Sequence, residues 1–170
     1  MAAGGAAMSY SENEVATLAS KAARGVGAPV QQAGEFGRAA AVHLQADRDV
    51  LDLRRALVAL PLGPIIDLPR RIQAIAENAR GGRAEAYFET GGWVPLARSY
   101  VECLPYEAML NLRMELLLDL TLPVPRRTPA RIELSDEIYA EWTEQAQRTM
   151  VPDSEASRNA GAGAGLTDND

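Results

Sequence analysis

Few residues in this chain are suited to acid–base or nucleophilic chemistry: it has one histidine, His43, and one cysteine, Cys103. An imidazole titrates near neutral pH and can serve as a general base towards a thiol or a serine hydroxyl lying within hydrogen-bond reach. The plainer reading is that a histidine between Val42 and Leu44 on a helix packs as a structural side chain. A lone cysteine in a strand, in turn, packs as a small hydrophobe. A wider set, Arg24, Glu35, Arg38 and His43, falls on the first two helices and forms the candidate ligand-binding group, with two cations and an anion to face a small molecule.

Other polar groupings carry weaker chemistry. Arg24-Gly25-Val26-Gly27 precedes a helix start, where free amides hold anions. It lacks the third glycine of a dinucleotide fingerprint and the Gly-Lys-Ser/Thr of a P-loop, and a helix stop followed by a tight turn explains it as well. Glu102, Glu107, Glu115 and Asp119 place carboxylates on or near neighbouring strands, where solvent-facing charge on a half-covered sheet accounts for them. Arg126-Arg127 suits a phosphate or a solvated turn. With one Cys and one His, no zinc enclosure can be built, and neither a metal nor a cofactor is expected. No catalytic residue is assigned.

The elements that must position these groups follow from periodicity. Ser11 and Glu14 form a capping box that opens a helix over 12–24, with Val15, Leu18, Ala19 and Ala22 on its apolar face and Gly25 as a left-handed stop. Pro29 opens a second helix to about residue 46, and the small residues Ala33, Gly37, Ala40 and Ala41 on its inner side predict a close helical hairpin in which a bulky replacement of Gly37 is costly. A third helix is expected over 48–60, with Val50, Leu53, Leu57 and Leu60 inward. A fourth starts near Pro69, buries Ile72, Ile75 and Ala79, and stops at Gly81-Gly82.

Strands are expected next, at 86–88 and 93–104, around Gly91-Gly92. From Leu110 to Leu122 every even position is apolar, which predicts one long strand, because that alternation would leave a helix no polar face. A short strand over 131–134 and a helix from Ser135 to about residue 149, burying Ile138, Trp142, Ala146 and Thr149, complete the pattern. The fold class is α+β: an N-terminal helical segment of about four helices on a small, mostly antiparallel sheet, then a C-terminal helix. A single domain spans 9–153, between a flexible start at 1–8 and a tail at 154–170.

The tail is the most unusual stretch of the chain. Ala160-Gly161-Ala162-Gly163-Ala164-Gly165 has almost no side-chain surface and runs into Leu166-Thr167-Asp168-Asn169-Asp170. Such a peptide is either mobile or threaded where backbones approach closely. Ser154, Glu155, Ser157, Arg158, Gly161, Gly163, Gly165, Leu166, Asp168 and Asp170 are the candidate docking residues for a partner or a neighbouring subunit. The net charge is −6, and the segments 1–60, 61–131 and 132–170 carry 0, +1 and −7. A chain without a basic face is not expected to bind nucleic acid. The start has no basic residue ahead of an apolar run, and the longest apolar run is broken by Pro61, Gly63 and Pro64. A cytoplasmic protein without membrane spans is therefore expected.

Lys21-Ala22-Ala23-Arg24-Gly25-Val26-Gly27, Gly34-Glu35-Phe36-Gly37-Arg38-Ala39 and the ending from Pro152-Asp153-Ser154-Glu155-Ala156-Ser157-Arg158 to Asp170 together resemble an uncharacterised family of small proteobacterial proteins. That family carries only a domain-of-unknown-function label. The resemblance covers nearly the whole chain from about Ser9. Val30-Gln31-Gln32 departs from the aromatic and acidic pair expected after the proline. It implies no activity, but it does imply that the tail belongs to the protein's design. Two functions are thus expected: an accessory or interaction module docking through 154–170, or a small-molecule-binding protein or small enzyme with its pocket at the first helical hairpin.

Overall fold

The structure, a computed structural model, describes residues 7–125 and 130–149. The docking candidates of the tail and the Arg126-Arg127 pair lie outside the described residues. The fold is α+β, and its described elements are six helices and two small antiparallel sheets.

Helix α1 (Glu12–Gly25) opens with the expected capping box: the Ser11 hydroxyl accepts from Glu14 N at 3.2 Å, and the Glu14 carboxylate accepts from Ser11 N at 2.7 Å. It ends in a Schellman turn, with Ala28 N donating to Ala23 O and Gly27 N to Arg24 O. Gly27, not Gly25, takes the positive φ of that turn. Gly25 serves another need, since a Cβ there would overlap the Gln145 carbonyl. The turn amides of Val26, Gly27 and Ala28 are all satisfied by helix carbonyls, which leaves none of the three for an anion.

Helix α2 (Val30–Gln45) packs along α1 as the small residues predict. A Cβ on Gly37 would overlap the Ala16 carbonyl and come within 2.9 Å of Ser20 Cβ. A second Schellman turn ends it, with Asp47 at φ 52 where glycine is usual, Asp47 N donating to Leu44 O and Arg48 N to His43 O. This turn delivers Arg48 and Asp49, the N-cap of α3 (Val50–Val58), back against α2. Helix α4 (Pro64–Glu77) starts five residues before its expected start and runs through Pro69. Pro64 already fills the first turn behind Gly63, and starting there puts Ile65, Leu68 and Ile72 on one buried face.

The segment 94–102 corrects the sequence reading most. It is helix α5 (Val94–Glu102), not a strand, with Pro95 in its first turn and Leu96, Ala97, Tyr100 and Val101 buried at helical spacing. Cys103 therefore caps a helix rather than lying in a strand.

The long strand is also corrected. Residues 106–123 form a hairpin of β3 (Tyr106–Leu110) and β4 (Glu115–Pro123), with Leu110 opposite Leu116. The connecting residues are ordered by the Asn111 side chain, which accepts from Arg113 N and Glu115 N, while Met114 takes φ 60. Four residues separate Leu110 from Glu115, so even numbering stays on the buried face across the turn, and two strands mimic one. Leu112, at the tip, is 86% exposed.

With β2 (Arg83–Tyr87) the hairpin makes a sheet of order β2-β4-β3. A second sheet pairs β1 (Ala7–Ser11), a strand not anticipated, with β5 (Arg131–Ser135). Helix α6 (Asp136–Gln147) follows β5 and buries Ile138, Trp142 and Ala146 beside α1, whereas Thr149 is exposed beyond its end. One apolar cluster draws on all six helices and on β3, β4 and β5.

Candidate functional site

Helix α5 lies along α2, and two successive residues of α5, Ser99 and Tyr100, meet it in different ways. Ser99 meets His43. Both are fully buried, with His43 Nδ1 2.9 Å from Ser99 Oγ and His43 Nε2 2.9 Å from the Asp49 carbonyl. The carbonyl requires Nε2 to carry hydrogen, so in the neutral ring Nδ1 is an acceptor that competes with Pro95 O for the single Ser99 hydroxyl proton. Arg48 donates to Ser99 Oγ at 2.9 Å and holds Glu102 through both guanidinium ends at 2.6 and 2.9 Å. Burial pushes the His43 pKa below its ordinary value, and Arg48 adds to the effect, while the Asp49 carbonyl opposes it. The general-base reading thus finds a serine rather than Cys103. That serine also bonds Arg48 and Pro95 O and has no exposed surface to offer a substrate. The pair locks α2, the start of α3 and α5 together.

Tyr100 meets the other candidates. A cavity of about 350 Å³ opens between α2, α4, α5 and the start of β3, with Glu35, Arg38, Tyr100 and Cys103 in its lining and Ile72 and Leu104 among its apolar walls. Tyr100 is 4% exposed, and its hydroxyl is buried with no hydrogen-bond partner. Glu35 Oε1 accepts from Gln31 Nε2 at 3.1 Å, but Oε2 is buried and unpartnered as well. Burial drives the Tyr100 pKa well above the usual phenol value, the Glu35 carboxylate and Cys103 push it further, and Arg38 opposes them. The hydroxyl consequently keeps its proton at neutral pH and stands ready to donate. Two buried polar atoms without partners at one cavity are an unfavourable arrangement that a bound group would relieve. The remaining orphaned buried atoms, Trp142 Nε1 among them, do not line this cavity.

Two larger depressions lack this feature. One, of about 500 Å³, lies on the outer face of the three-stranded sheet, and another, of about 420 Å³, lies between α4 and β2. Arg83, shared by both, is already paired with Asp119 at 2.8 Å. The Asp119 carboxyl is held below the usual carboxylate range, chiefly by the Thr121 hydroxyl and also by Arg83.

Of the four residues expected to form the ligand group, the structure brings Glu35 and Arg38 to one cavity. His43 is on the same helix but turned into the Ser99 lock, and Arg24 is exposed in the last turn of α1. The four carboxylates do not gather at one place: Glu102 is on α5 with Arg48 and Glu115 accepts from Asn111, while Glu107 and Asp119 are cross-strand partners on β3 and β4, with Asp119 holding Arg83. Among the described residues, no three His, Cys, Asp or Glu side chains gather as metal ligands, and no helix is long and apolar enough to cross a membrane. Sequence reasoning missed Tyr100. The signal was Pro95 followed by Leu96, Ala97, Tyr100 and Val101, a helical period in a segment rich in strand formers. No protein-family model, curated protein or solved structure matches this chain.

Proposed function

We propose that the protein binds a small molecule in the cavity between α2, α4 and α5. The observation that carries this reading is the pair of buried, unpartnered atoms, Tyr100 Oη and Glu35 Oε2, on two residues that line one cavity. A chain selected for stability alone would put phenylalanine at residue 100, because an unsatisfied buried hydroxyl costs about 1–3 kcal/mol. The cavity lies at the small end of the ~300–1,000 Å³ range of ligand sites, which suits a metabolite rather than a macromolecule. His43 and Ser99 act as a brace that fixes α5 on α2 and so sets where Tyr100 points.

The test is a metabolite screen by thermal shift on the full chain, alongside an Ala76→Leu variant that fills the cavity wall. A compound that raises the melting temperature of the wild type and not of Ala76→Leu supports the proposal. Stabilising compounds that act equally on both proteins would place binding elsewhere and defeat it.

A further inference from the structure

The cavity wall carries opposite charges that do not neutralise each other. Glu35 and Arg38 stand three residues apart on α2, so their Cβ atoms are about 5–6 Å apart on one helix face. That spacing permits an ion pair, yet none forms: the Glu35 carboxylate turns back to Gln31, and the Arg38 guanidinium has no hydrogen bond or ion pair among the described residues. Tyr100 lines the same cavity as both, and its hydroxyl lies within the electrostatic reach of each charge. An ionised carboxylate only accepts, so Glu35 Oε2 calls for a donor; a guanidinium only donates, so Arg38 calls for an acceptor. The rest of the lining, with Pro69, Ile72, Ala76, Leu104 and Pro105, offers apolar surface to a hydrocarbon group.

We infer that the ligand is a small amino-carboxylate with an apolar side chain, an amino acid or a close relative. Its ammonium sits on Glu35 Oε2, its carboxylate takes the Arg38 guanidinium and the Tyr100 hydroxyl, and its side chain lies against Ile72 and Leu104. This rests on reading the cavity as a ligand site. A simple anion would leave Glu35 Oε2 buried and unpartnered, and a simple amine would leave the exposed Arg38 guanidinium without an anion to hold. A ligand with both charges close together satisfies the set in one step, and charge-assisted hydrogen bonds are the stronger kind.

The experiment titrates the full chain, followed by ¹H–¹⁵N NMR, with L-leucine and L-phenylalanine. Each is compared with its analogues lacking the amine, the carboxylate charge or both: 4-methylpentanoate, leucinamide and 4-methylpentanamide, and the corresponding phenyl series. The amino acid should shift the amides of Glu35, Arg38 and Tyr100, and loss of either charge should weaken binding about tenfold or more. Glu35→Gln should remove the preference for the amino acid over the simple acid, and Arg38→Gln, at an exposed position, the preference over the amide. If the neutral analogue shifts the same amides with equal affinity, the charge assignment is overturned while the cavity stands as a binding site. If none of the probes moves those amides, the amino-carboxylate class is overturned, and the Ala76→Leu screen decides separately whether the cavity binds anything.

Discussion

Replacing Tyr100 by phenylalanine separates a functional hydroxyl from a structural one, because the two roles predict opposite signs. The ring is 4% exposed and fills its place in the core, and phenylalanine keeps that ring. The substitution removes one buried oxygen that has no partner. An unsatisfied buried hydroxyl costs about 1–3 kcal/mol, and at the lower end of that range Tyr100→Phe should stabilise the ligand-free protein by about 1 kcal/mol. For a chain of this size that is a rise of about 2–4 °C in melting temperature. Binding should move the other way, since the donor that meets the ligand is gone.

The assay is paired: chemical denaturation of the ligand-free wild type and variant, and thermal shift of each with a compound that passes the cavity test. A variant that is more stable when empty and less responsive to ligand is the expected outcome. A Tyr100→Phe protein destabilised by more than about 0.5 kcal/mol would show that the hydroxyl serves the fold through a hydrogen bond, and the argument from an orphaned donor would collapse.

Gly25→Ala tests the contact between α1 and α6. An added methyl meets the Gln145 carbonyl, so the variant should lose about 1–3 kcal/mol, whereas Gly34→Ala, with open space around it, should gain up to about 1 kcal/mol; unfolding in urea reads both. Asp47→Gly relieves a positive φ at the end of α2 and should stabilise by about 0.5–1 kcal/mol in the same measurement; a loss would mean that the aspartate side chain matters more than its backbone strain. His43 gives a pH dependence with a definite sign: the unfolded ring takes its proton near pH 6.5 and the folded ring only at lower pH. Between those two values the unfolded state binds more protons, so stability is fully present above pH 6.5, falls as pH drops through that window and levels off below the folded value. A denaturation midpoint that stays flat from pH 7.5 to 5.5 would show that the ring is not held neutral. For the tail, cross-linking of the full chain in cell extract should give an adduct, with a partner or a second copy, that a chain ending at residue 153 lacks; identical patterns would end the docking-tail proposal.

What the sequence discloses and what it hides divide along one physical line. Local signals with a single solution were readable: the Ser11–Glu14 box closes on itself within one turn, and the small face around Gly37 admits only a near neighbour, which α1 supplies. The misread segments each had two locally acceptable solutions, and the choice was made by distant residues. In 94–102 the strand formers Val94, Tyr100 and Val101 favour an extended chain, but only the helix places Leu96, Ala97, Tyr100 and Val101 together in the core while Ser99 reaches His43. In 110–122 one strand and two strands share the same parity, and Asn111 decides between them by gathering the Arg113 and Glu115 amides. The first of these choices governs the site. An extended segment would send Ser99 and Tyr100 to opposite faces and Glu102 to the side of Tyr100. The helix puts both Ser99 and Glu102 on the Arg48 lock and leaves Tyr100 beside Glu35 and Arg38. The same His43 contact that ties α5 down therefore explains why its neighbour Tyr100 can be left without a partner. The lock holds the helix in register, and the hydroxyl is free to answer to a ligand instead of to the fold.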